Sequence, residues 1–129
     1  MPFIVVAPPD TDEALAETGR KILETALSYG HRIDTEGFLQ AWIRGVRVFA
    51  ETDDNGDYIG VAFVMMGDRW LFTDRAASIL LALVKDKDGL IQFVRSIATA
   101  MGASKVIYED RVLEDTKQET VWAVRELKL

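Results

Sequence analysis

The chain has 129 residues, enough for one domain with its own core and too few for two. Its 49% hydrophobic and 28% charged residues are globular in balance, and the absence of cysteine excludes disulfides, thiolate metal sites and cysteine nucleophiles. A formal net charge of −6 argues against nucleic acid as a partner, and no apolar run approaches the ~18 residues of a membrane span.

Residues 2–7 (PFIVVA) read as a strand ended by Pro8-Pro9; with no basic leader segment, this start is a strand and not a signal peptide. Asp10, with Glu13 three residues on, resembles a capping box for a helix over 11–29. Leu15, Gly19, Ile22, Leu23, Ala26 and Leu27 share one face of it, and Gly30 ends it. A second helix follows Thr35 as N-cap, carries Phe38, Leu39, Trp42 and Ile43, and stops at Gly45. Residues 46–52 alternate Val46, Val48 and Ala50 against Arg47, Phe49 and Glu51, as in a strand with one buried face. Asp53, Asp54, Asn55, Gly56 and Asp57 form a hairpin signal, read as a type I′ turn. A calcium loop would need glutamate six residues after the glycine, and Ala62 stands there. The return strand runs over 58–66, Gly67-Asp68 reads as a turn or bulge, and Trp70 to Phe72 extend the sheet.

The richest stretch is 76–109. A very apolar strand (78–84, SILLALV) leads into a charged turn, Lys85-Asp86-Lys87-Asp88-Gly89. An amphipathic helix follows, with Leu90, Phe93, Val94, Ile97, Ala98 and Met101 as its stripe and Gly102 as its stop. A second strand spans 105–108. This β-turn-α-β unit places a turn and a helix N-terminus where α/β folds receive anionic cofactors. The residues of that turn leave two readings open. Gly89 suits a phosphate cradle or a plain position before a helix capped by Asp88; Lys85 and Lys87 suit a cofactor's phosphates or a solvated turn. Residues 110–119 read as a loop or weak helix, and 120–127 as a last strand. The expected fold is α/β, a mixed six-stranded sheet flanked by helices on both faces, forming one domain over 1–129.

That order resembles the GNAT superfamily of acyl-CoA-dependent N-acetyltransferases. The likeness rests on the two opening helices and on the Asp-Gly-type turn of residues 51–62. It also rests on the Leu81-Ala82-Leu83-Val84 strand end and on the Met101-Gly102-Ala103 helix end followed by Lys105 to Tyr108. It covers residues 3 to 124. The resemblance implies acetyl-CoA as cofactor and an amine, small or on a protein, as acceptor. It also implies a cofactor site at Leu83, Val84, Lys85, Lys87 and Gly89, with backbone amides holding CoA and polarising the thioester carbonyl.

The chain departs from the family pattern at that site. Aligned on Gly89, Asp86 stands where the family has Arg or Gln, and Ile91 where it has a small residue. Residues 110–119 hold no tyrosine for the family's usual general acid, Tyr108 lies on a strand instead, and the usual seventh strand is missing or borrowed from a partner. Small GNAT-like proteins with such eroded loops resemble those of tailed bacteriophages, including internal virion proteins. Two functions therefore stand at the sequence level. One is a non-catalytic structural or interaction protein with no cofactor, cytoplasmic or in a virion, binding a protein partner or itself. The other is an N-acetyltransferase.

The remaining candidates carry less. Glu51, Asp68 and Asp74 are possible bases for removing an amine proton, each also readable as a surface carboxylate. His31, the single histidine, sits at a helix end where an imidazolium suits the dipole, and with no second histidine or cysteine it does not make a zinc site. Trp42, Trp70 and Trp122 line a pocket, an interface or the core.

Overall fold

The structure is a computed structural model that describes residues 3–68, 75–109 and 124–129. Among these residues the chain forms β1 (Phe3–Val6), α1 (Asp12–Ser28), α2 (Thr35–Ile43), β2 (Arg47–Thr52) and β3 (Tyr58–Asp68). It continues with β4 (Arg75–Leu83), α3 (Lys87–Ala100), β5 (Lys105–Glu109) and β6 (Val124–Lys128). The strands lie in sequence order across one six-stranded sheet. All neighbours are antiparallel except β4 and β5, which are parallel because α3 crosses between them.

Helices cover both faces, as expected. On one side Ile22 and Ala26 of α1 and Phe38 and Trp42 of α2 pack on Val48, Ala50, Val61 and Leu83. On the other, Leu90, Val94 and Ala98 of α3 pack on Phe49, Ala62, Val64, Ala77 and Val106. The one-sided alternation expected for β2 is therefore incorrect: Val48, Phe49, Ala50 and Glu51 are all buried, because each parity meets a helix layer.

The helix starts shift by a residue from expectation. Thr11, not Asp10, caps α1, its hydroxyl accepting from the Ala14 amide at 3.2 Å. Asp34, not Thr35, caps α2, accepting from Gly37 at 2.8 Å. Gly67 and Asp68 do not turn but stay in β3, paired with Ala76 and Arg75, so β4 begins at Arg75 instead of residue 78. The hairpin is not type I′, which needs positive φ at two residues; only Gly56 has it (φ 82°). Instead the Gly56 amide donates to the Asp53 carbonyl, and the Asp53 carboxylate accepts from the Asn55 and Asp57 amides at 2.9 Å. The expected strand at 70–72, the loop at 110–119 and the start of the last strand at 120–123 lie outside the described residues, as do Asp74, Trp70 and Trp122.

Candidate functional site

Two irregularities shape the centre of the sheet. The first is a bulge in β4. Phe63 pairs with Leu81 and Val64 with Ile79, so Leu80 has no opposite number. Ala77 and Ile79 face α3 before the bulge, and Ala82 and Val84 face it afterwards; the extra residue flips the parity. Leu80 is left 47% exposed. The second is a short parallel pairing. β4 pairs with β5 only through Ala76, Ala77 and Ser78, whereas β5 stays on β6 as far as Glu109.

The turn at the end of β4 leads directly into α3. Asp86 caps α3: its carboxylate accepts from the Gly89 amide at 2.9 Å and its carbonyl from the Leu90 amide at 3.0 Å. The expected cap, Asp88, is one helical residue in, so Gly89 lies in the first turn of α3 and not in the loop. Physically, the cap must precede the first helical residue and reach the third amide beyond it, and Asp86 does both. Of the residues the resemblance pointed to, Leu83 is buried towards α1 and α2, and Val84 is buried towards α3. Gly89 is buried, Lys87 half-buried and Lys85 exposed.

The decisive contact comes from β2. Glu51 shares the parity of Phe49, faces the α3 side and is 2% exposed. Its Oε1 accepts from the Lys85 amide at 2.8 Å and its Oε2 from the Asp86 amide at 3.1 Å. The close approach requires glycine at position 60: a Cβ there would lie 2.8 Å from Glu51 Oε1 and 2.8 Å from the Leu83 carbonyl oxygen. Thus a carboxylate of the chain itself is seated on two amides at the positive end of α3, where a bound anion would sit.

This arrangement does not fit an acyl-CoA phosphate. The Lys85 and Asp86 amides donate to Glu51 and the Gly89 amide to Asp86, and an incoming anion meets Glu51, Asp86 and Asp88 with Lys85 and Lys87 to offset them. Glu51 is equally ill placed as a base, since it is 2% exposed and turned towards the Lys85 and Asp86 amides.

The other candidates scatter. His31 is exposed in the α1–α2 connection, away from the turn. Trp42 is core, its indole N–H donating to the Val6 carbonyl at 3.0 Å. Tyr108 is half-buried and packs on the α3-side core. Among the described residues no group of histidine and carboxylate side chains forms a metal site, and no helix is long and apolar enough to cross a membrane.

Among the described residues, the six-stranded mixed sheet with a bulged fourth strand and three helices on two faces has the fold of solved acetyltransferases. Solved structures bear this out. The chain aligns with a ribosomal-protein-alanine N-acetyltransferase from Brucella melitensis biovar Abortus 2308, at TM-score 0.65 and 14% identity over 97% of this chain and 99% of that one. It aligns with an aminoglycoside acetyltransferase from an uncultured soil metagenomic sample, solved with sisomicin, at TM-score 0.64 and 14% identity over 98% and 95%. It also aligns with a GNAT family acetyltransferase from Listeria monocytogenes, at TM-score 0.61 and 13% identity over 98% and 95%. No protein-family model matches the sequence, and no curated protein matches it significantly. At these identities the likeness establishes the fold, and the function has to be argued from the site.

Proposed function

We propose that this protein is a non-catalytic GNAT-fold module that acts as a structural or interaction protein, of the kind a bacteriophage virion uses. The observation that carries this reading is the Glu51 carboxylate on the Lys85 and Asp86 amides. An enzyme of this fold keeps those donors for its cofactor; here they serve the chain's own stability. Its work then lies in binding a protein partner or another copy of itself.

A second reading, an acetyl-CoA-dependent N-acetyltransferase acting on an amine, is supported by the likeness to solved acetyltransferases and by the bulge at Leu80. Thermal melting separates the two. Acetyl-CoA, free CoA and ATP as a charged control are each added at millimolar concentration. The non-catalytic reading expects no CoA-specific shift. A ligand at 100 times its Kd adds about 2.7 kcal/mol, so a rise with acetyl-CoA and CoA but not ATP overturns it and calls for an acceptor screen.

A further inference from the structure

A separate feature lies on the outer side of the helical pair. α1 and α2 approach closely because residue 19 is glycine; a Cβ there would lie 3.2 Å from Leu39 Cδ2. Beside this crossing is a trough with a cavity volume of about 390 Å³. Leu23, Leu27, Ile33 and Leu39 supply its apolar lining, and Arg20, Glu24, His31, Arg32 and Thr35 its polar part, so the two arginines outweigh the single carboxylate. No residue of β4, the following turn or β5 lines it, so it is distinct from the site at the start of α3.

Two properties point to its occupant. Leu27 is 53% exposed and stands outside the core, while Leu23, Ile33 and Leu39 are partly buried and pack against the α1–α2-side core from beneath it. The two arginines also differ. Arg20 is held between Glu17 at 3.2 Å and Glu24 at 2.9 Å, whereas Arg32 pairs with no carboxylate among the described residues. An uncommitted guanidinium beside an apolar trough is complementary to a carboxylate carrying a hydrocarbon chain. Its volume is at the lower end of the range usual for small-molecule sites, about 300–1,000 Å³.

We propose that the α1–α2 trough binds a single-chain anionic amphiphile, with its carboxylate on Arg32 and its chain along Leu23, Leu27, Ile33 and Leu39. The site is independent of any cofactor at the β4 turn.

Calorimetric titration of the full chain with decanoate tests this, with decyltrimethylammonium as the cationic counterpart. Expected are saturable one-to-one binding of decanoate and little of the cation. Arg32→Ala weakens binding about tenfold or more, as for a lost charge-assisted hydrogen bond. Arg32→Lys retains part of it, and Leu27→Glu abolishes it. Ile43→Glu, an exposed substitution outside the trough, leaves it unchanged. Leu27 and Arg32 are exposed, so melting without ligand should hold in both variants, and circular dichroism checks it. Equal uptake of both amphiphiles, unsaturable binding, or binding unaffected by Leu27→Glu overturns the proposal. So does light scattering that shows a dimer dispersed by Leu27→Glu, which would assign the trough to a second copy.

Discussion

Glu51 shows how one side chain can decide what a fold is able to do. Burying a carboxylate is costly unless its oxygens are hydrogen-bonded, and here each takes a backbone amide. Glu51→Gln keeps the shape but turns an N–H2 towards one of those donors. A stability loss of about 1–3 kcal/mol is expected, the cost of leaving a buried donor unsatisfied. Denaturant titration measures it, and amide chemical shifts at Lys85 and Asp86 should move furthest. An unchanged midpoint would mean the contact contributes nothing. Tyr29 offers a second test. Its hydroxyl donates to the Ile59 carbonyl at 2.7 Å, and burial first, then the charge of Glu51, raises its pKa above the ordinary tyrosine value. The folded state therefore holds this proton more tightly than the unfolded chain does. The resulting stability is complete below pH about 10 and is lost as pH rises from there through the folded pKa. Tyr58, raised by burial, acts in the same direction. Tyr29→Phe should therefore flatten the alkaline loss of stability without removing it. An unaltered pH profile would show that Tyr29 does not titrate with folding.

At the scale of elements, the ties between helices and strands are few and specific. Trp42 links α2 to the end of β1 through its buried indole N–H. Trp42→Phe retains most of the packing, including the stack on Phe38, and strands the Val6 carbonyl. A loss of about 1–3 kcal/mol is expected, with faster hydrogen exchange in β1 than in β3 as the local readout. Helix stops were legible because only glycine takes the left-handed turn cheaply: Gly30 (φ 83°) and Gly102 (φ 80°) end α1 and α3 as the sequence suggested. Helix starts were less so, because adjacent Asp and Thr residues offer competing caps and only backbone geometry chooses between them. The β4 bulge left no trace in the sequence. The run from Ser78 to Val84 is apolar on both faces, so a parity change at Leu80 alters nothing in the pattern. Glu51 was half legible. Its parity with Phe49 set its face, but its target lies 34 residues further along the chain, and only the folded sheet brings the two together.

For the whole molecule, the two apolar cores raise the question of whether the chain unfolds as one unit. We propose that it does, as a single domain. The cores are not side by side but back to back: Val48 and Ala50 belong to one, and Phe49 between them belongs to the other. β3 divides in the same way, with Val61 in one core and Ala62 in the other. Neither helix layer can leave without uncovering strands that the other layer needs. Ile22→Ala on the α1 side and Val94→Ala on the α3 side should therefore each shift one shared transition. Truncating a fully buried isoleucine costs about 2–5 kcal/mol, and the smaller valine should cost somewhat less. Methyl NMR through a denaturant titration tests this directly, because Ile22 and Val94 report on opposite faces. Coincident midpoints in the wild type, moving together in each variant, are expected of a two-state domain. If Val94→Ala moved only the α3-side signals, the sheet would not couple its two faces. The resting place of Glu51, which joins β2 to the start of α3, would then be a local latch and not part of the global fold.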